Sequence, residues 1–188
     1  MHRALLLLAL AAASPASAGP PGWLPPRMVF QVAGQLGLVA AGPGWELGDA
    51  HVRIDVLAGW APARLTGVEI FTISEKLSWA PWRLAGARGF RLEPAVLSFQ
   101  LTYAFGDAYF VRSPARYPEA YYQVPTALHS GVGLGACAWW RPPRGGPEVG
   151  LYAEAVALGA MVALWRENPR TLGLDDVVSL AFGLAVRP

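Results

Sequence analysis

Three features predict the fold class before any element is placed. Apolar and polar residues alternate with a period of two through most of the chain beyond residue 27. The alternating segments are longer than a soluble sheet needs. Charged residues make up 15% of the chain and hydrophobic residues 54%, against about 25% charged in an ordinary soluble domain. Together these predict an all-β chain, an antiparallel up-and-down transmembrane β-barrel of about eight strands. The composition also excludes disorder, which requires low hydrophobicity. A net charge of +2 is too small for a nucleic-acid footprint, so no nucleic-acid partner is expected. One cysteine among 188 residues permits neither an internal disulfide nor a thiolate zinc cluster.

Residues 1–18, MHRALLLLALAAASPASA, combine a basic start (His2, Arg3), an apolar run from Ala4 to Ala13, a Ser-Pro break and the small-residue triplet Ala16-Ser17-Ala18. This is the order of a cleaved signal peptide, with cleavage after Ala18. The apolar run is about half the roughly 20 residues a spanning helix requires. The other apolar run, Ala155–Trp165, is also too short, and Glu154 and Arg166 bound it. Residues 19–27, GPPGWLPPR, form a Pro-rich lead-in, because proline removes the ladder donor. Residues 28–188 are then one barrel domain.

The strands follow in order. Met28–Val39 sets Phe30, Val32, Leu36 and Leu38 against Gln31, Ala33, Gln35 and Gly37, and Ala40–Gly48 reads as a loop. Asp49–Trp60 alternates most regularly, with Val52, Ile54, Val56, Ala58 and Trp60 opposing His51, Arg53 and Asp55. Val68–Trp79 sets Phe71, Ile73, Leu77 and Trp79 against Thr72, Ser74, Lys76 and Ser78, and Glu75 interrupts the apolar face. Glu93–Phe105 sets Leu97, Phe99, Leu101 and Tyr103 against Ser98, Gln100 and Thr102. Gly106-Asp107 signals a turn, Ala108–Arg112 a short fifth strand, and Ser113–Pro125 a Pro- and Tyr-rich loop. Thr126–Trp140 opposes Leu128, Val132, Leu134 and Ala138 to His129, Gly131, Gly133, Gly135 and Cys137. Glu148–Ala160 sets Val149, Leu151, Ala153 and Ala155 against Tyr152 and Glu154. After a loop over Met161–Asp176, Val177–Arg187 closes the chain with Val178, Leu180, Phe182, Leu184 and Val186 on one face.

Most of these eight segments run 11–15 residues, where a tilted membrane strand needs about 9–11. Large aliphatic and aromatic residues share one face, and Gln, Ser, Thr, Arg, Asp and His share the other. With the N-terminus on the periplasmic side, the odd-numbered connections are long and the even-numbered ones short, the outer-membrane pattern. Trp45, Trp60, Trp79, Trp82, Trp139, Trp140 and Trp165 fall at or near strand ends, where amphipathic rings meet the headgroups. On this architecture the chain resembles the small eight-stranded outer-membrane barrels of Gram-negative bacteria over Met28–Arg187. The resemblance implies an outer-membrane location. No family-specific motif accompanies it, and the chain ends Ala185-Val186-Arg187-Pro188 where many such barrels end on an aromatic residue.

An eight-stranded barrel is just wide enough to be filled by its own side chains. The expected lumen cluster is His51, Arg53, Asp55, Lys76, His129, Tyr152 and Glu154, with Arg53 and Lys76 paired to Asp55 and Glu154 because unpaired buried charge is costly. Arg112, Arg116, Arg166 and Arg170, in or beside the outer loops, suit contact with lipopolysaccharide phosphates. The expected partner is therefore outer-membrane lipid or lipopolysaccharide; no partner protein is indicated. Neither a cofactor nor a metal is assigned, since His51 and His129 lack neighbouring ligands. No catalytic residue is assigned either. Some outer-membrane barrels that deacylate lipid A use an H-x-S spacing, which puts both side chains on one strand face. Here His129 and Ser130 are adjacent and point to opposite faces. The expected function is thus a non-catalytic envelope role: structure, adhesion or lipid contact. A lipid A acyl hydrolase and a soluble periplasmic barrel binding an apolar ligand are the alternatives.

Overall fold

The structure, a computed structural model, describes residues 25–106, 109–111, 126–167 and 170–188. The expected signal peptide lies outside these residues, as do Arg112 and Arg116. Among the described residues there are nine strands and three short helices: β1 Arg27–Ala33, β2 Val39–Leu47, β3 Val52–Ala61, α1 Ala63–Thr66, β4 Ile70–Trp79, β5 Leu84–Ala85, β6 Phe90–Phe105, β7 Leu128–Trp140, β8 Glu148–Leu158, α2 Gly159–Glu167, α3 Leu174–Val177 and β9 Val178–Arg187. No helix among the described residues is long and apolar enough to cross a membrane. β5 is a two-residue arm on β6. The other eight strands pair antiparallel in sequence order, and β9 returns to β1, closing the barrel. Arg27 and Arg187 mark one end, the base; the opposite end is the crown.

The barrel has the expected eight strands, but one of them, β2, lies where a loop is expected, and the expected fifth is not among them. The candidate Met28–Val39 is broken at Ala33, Gly34, Gln35 and Gly37, all at positive φ, a conformation glycine adopts without penalty. The chain reverses there, and the expected loop 40–48 becomes most of β2. Of its inward residues, Ala40, Gly42 and Gly44 are too small for hydrophobic periodicity to register, and only Glu46 is long. The expected fifth strand, Ala108–Arg112, is not found among the described residues: Tyr109, Phe110 and Val111 are not in a strand, and the flanking Ala108 and Arg112 lie outside the described residues. β6 pairs directly with β7 from Phe90↔Trp140 to Tyr103↔Leu128, so no edge is free to receive another strand. The expected loop after β8 contains α2 and α3. Arg27, read as the end of the lead-in, opens β1.

Alternation decides which face is inside. Phe30 is 48% exposed and its neighbour Gln31 1%. The same contrast separates Ile73 and Leu77 from Ser74 and Lys76, and Phe99 from Gln100. Large apolar side chains therefore face outward and polar ones inward, the reverse of a soluble barrel. One register shift intervenes, between Glu93 and Val96 of β6. Pro94 has no N–H to give the ladder, and a bulge accommodates it. The extra residue turns Glu93 into the lumen.

Connections also divide by end. Those at the base span 48–51, 80–89 and 141–147, and those at the crown span 34–38, 62–69, 106–127 and 159–177. The two longest connections are both at the crown.

Candidate functional site

The barrel interior is the candidate site, and it is filled in three layers. At the base, Arg27 donates to Asp55. Arg53 donates to Glu93 at 2.5 Å, and Arg83 reaches the other Glu93 oxygen at 3.4 Å. Burial lowers the Arg83 guanidinium from its usual range, and Glu93 opposes that shift. Arg187 bridges Glu148 and Glu46, each at 2.5 Å. Its guanidinium also lies 3.7 Å from the Trp139 ring centroid, with Arg91 at 5.5 Å. A cation over an indole face is attracted by the ring quadrupole, so Trp139 joins the charged base as its apolar member.

In the middle layer Lys76 donates to Glu154 and, at 3.0 Å, to Gln31 Oε1. Tyr152 donates to the same Gln31 oxygen at 3.0 Å. Ser98 donates to the second Glu154 oxygen at 3.1 Å. Both carboxylate oxygens are thus held, as a buried ion pair requires. Facing these long side chains, β7 supplies Gly131, Gly133 and Gly135. A Cβ at each would press on Gln100, Ser98 or Glu154. The glycine run is therefore a space provision.

The crown is closed by backbone. The turn 34–38 folds into the lumen and carries Leu36 to 0% exposure. Thr72 donates to the Leu36 carbonyl at 2.5 Å, Leu38 N donates to Trp60 O at 2.9 Å, and Gln35 donates to Ser179 at 3.2 Å. Gly59 makes the space, because a Cβ there would overlap the Leu36 carbonyl oxygen. Gly37, at φ +126°, lies against the Trp60 backbone. Between base and middle remains a void of about 30 Å³ among Arg27, Asp55, Lys76, Tyr152 and Glu154, large enough for a water but not for an organic ligand.

The residues expected in the lumen separate into two groups. Arg53, Asp55, Lys76, Tyr152 and Glu154 meet inside, with Lys76 on Glu154, Arg53 on Glu93 and Asp55 on Arg27. His51 sits at the base rim, its Nδ1 2.6 Å from Ala80 O. His129 is half-buried near the crown end of β7. The two histidines are at opposite ends of the barrel and form no pair. Ser130 points outward beside Gly159 at the start of α2, away from His129, and no hydrogen bond or ion pair among the described residues joins His129 to a carboxylate. Arg166 and Arg170 are exposed at the crown.

Sequence reasoning missed Arg27, Glu46, Glu93, Glu148, Arg187 and Trp139 as lumen residues. Period two places Trp139 with Cys137 and Arg187 with Ala185; position near a strand end had assigned Trp139 to the outer girdle instead. It is 1% exposed. The signal for Glu93 was Pro94. On the outside, Trp60, Phe71 and Phe105 lie in adjacent register at the crown, and Phe90 faces Trp140 at the base. Trp60 Nε1 donates to Glu69 at 2.8 Å, a rim position that keeps its polar edge satisfied.

Comparison of the chain with models of protein families, with curated proteins and with solved structures finds no match.

Proposed function

We propose that this chain is an integral outer-membrane β-barrel with a non-catalytic envelope role, built to contact lipid with its wall while keeping its own lumen shut. The observation that carries this reading is the outward face. Phe30, Val32, Ile73, Leu77, Leu97, Phe99, Val132, Leu134, Leu151, Leu180 and Phe182 are all more than 40% exposed and distributed around the barrel. A soluble monomer rarely exposes one apolar patch above a few hundred Å²; a continuous apolar belt suits hydrocarbon. Aromatic residues at both rims fit the two headgroup levels. Between Phe30 and Trp60 the wall is recessed over Ala41 and Ala58 into a mostly apolar groove of about 760 Å³, a surface that suits an acyl chain.

The packed interior argues against the soluble ligand-binding alternative, whose lumen must hold the ligand. The opposed directions of His129 and Ser130 argue against the acyl hydrolase, since a nucleophile and base must lie within hydrogen-bond reach. In the proposed orientation the base is periplasmic and the long crown connections face outward, which suits Arg166 and Arg170 to lipopolysaccharide phosphates; Arg112 and Arg116, expected in the same set, lie outside the described residues. Replacing all four arginines is expected to weaken lipopolysaccharide binding; unchanged binding removes that contact from the reading.

The test is membrane fractionation combined with gel mobility of heated and unheated samples in detergent. Recovery in the outer-membrane fraction, with faster migration unheated, supports the proposal. A soluble periplasmic protein with no mobility shift overturns it.

A further inference from the structure

The outward strand positions are uncharged at every level with one exception, and apart from the Ser130 hydroxyl and the Tyr103 phenol near the crown they are apolar. On β4 the outward series reads Phe71, Ile73, Glu75, Leu77, Trp79. Glu75 is the central member, two outward residues from either aromatic rim. Its register partners are Val56 on β3 and Leu101 on β6, neither of which carries a polar group. Its own side chain is exposed and makes no hydrogen bond or ion pair among the described residues. Every other charged side chain of the eight barrel strands faces the lumen.

We propose that Glu75 is the centre of a contact between two copies of this chain, made through paired carboxyl groups within the apolar belt. The inference rests on the membrane-embedded reading above. Hydrocarbon offers a carboxyl group no hydrogen-bond partner. A neutral carboxyl is self-complementary, because its O–H donates and its C=O accepts. Two barrels inserted in the same sense carry Glu75 at the same depth. A two-fold axis along the membrane normal therefore brings the pair together without any shift in height, and an isologous interface repeats the same patch on both copies. No cation faces outward on the described strands, so another copy can bring no opposite charge to that depth. Val56 and Ala58 on β3 are short enough to let the two walls approach.

The test uses the full mature chain with Cys137→Ser and Arg144→Cys, the new thiol lying in an exposed base turn and labelled with donor or acceptor dye. Folded protein is reconstituted in phosphatidylcholine vesicles, diluted until random proximity gives no energy transfer. Transfer between copies is expected with Glu75 present, to persist in E75Q, whose amide also donates and accepts, and to fall with about tenfold weaker association in E75L, the scale of a hydrogen bond between membrane segments. Absence of transfer in the Glu75 protein overturns the proposal, and any partner of Glu75 is then a different molecule. Equal transfer in E75L also overturns it, because the copies then meet elsewhere. Loss of transfer in E75Q as in E75L overturns the hydrogen-bonded pairing. Heat-dependent mobility of the same samples keeps the two readings apart: a shift that remains without transfer sinks only the pairing, whereas failure to insert into vesicles or to show the shift sinks the membrane reading.

Discussion

The two halves of the lumen are closed by different physics. From the base to the middle layer the seal is charge: Arg27–Asp55, Arg53–Glu93, Arg187 between Glu148 and Glu46, and Lys76–Glu154. At the crown it is a backbone turn, with Leu36 as its apolar tip and Thr72 holding its carbonyl. Ion pairs make the lower half sensitive to loss of a single partner, since a lone buried charge costs far more than the intact pair contributes. The upper half depends on space and on neutral hydrogen bonds, each with a smaller net effect. The base thus carries high-stakes chemistry in a rigid wall, and the crown carries the part of the plug that a modest change can displace.

The largest effect that separates the halves is expected at Lys76. Lys76→Met leaves the Glu154 carboxylate buried without its cation, and the loss is about 3–5 kcal/mol. Adding Glu154→Leu removes the orphan as well, and the double variant is expected to regain most of that stability. Urea unfolding of the barrel in vesicles measures both. Equal losses in the single and double variants show that packing, and not the charge pair, governs the middle layer. At the crown, Gly59→Val is expected to cost about 1–3 kcal/mol through overpacking and to push the turn 34–38 out of the lumen. Planar-bilayer recordings read the second consequence: ion leak appears or rises in Gly59→Val while Lys76→Met/Glu154→Leu stays closed at the crown. A variant as tight as the starting protein shows that the turn is not the seal.

Much of this was legible in the sequence because the period of two is fixed by strand geometry. The faces of β3, β4, β6, β7 and β9 follow from it, and with them the inward positions of Arg53, Asp55, Lys76 and Gln100. What the period could not show has specific causes. β2 alternates small residues, Ala40, Gly42 and Gly44, against Ala41, Pro43 and Trp45, so neither face stands out. The turn at 34–38 hides inside an apparently continuous alternation because Leu36 and Leu38 keep the rhythm while the backbone has already left the strand. Glu93 is displaced by one bulge. Asp55 meets Arg27 because both register with Gly44 of β2, a strand the period did not reveal, and Arg53 of β3 meets Glu93 of β6 across β4. Adjacent like periods therefore give faces, while the stagger between strands decides which charges meet.

The smallest expected effect is the sharpest test of how the crown turn is held. Thr72→Val keeps the branched shape that suits β4 and removes the hydroxyl, so the Leu36 carbonyl loses its 2.5 Å donor. A neutral hydrogen bond contributes about 0.5–1.5 kcal/mol, and an acceptor left buried adds its desolvation to the loss. The turn has other attachments, Leu38 N to Trp60 O and Gln35 to Ser179, so global stability is expected to fall by about 1 kcal/mol. The local consequence is expected to be more visible than the global one. Amide exchange at Leu36 and Leu38 reports opening of the turn itself, since elements open with free energies from near zero up to the global value. Faster exchange confined to 34–38 in Thr72→Val places the turn among the weakly held parts of the barrel. Exchange that rises equally across β1 and β2 shows instead that the turn opens only when the hairpin does, and the crown and base then share one cooperative unit.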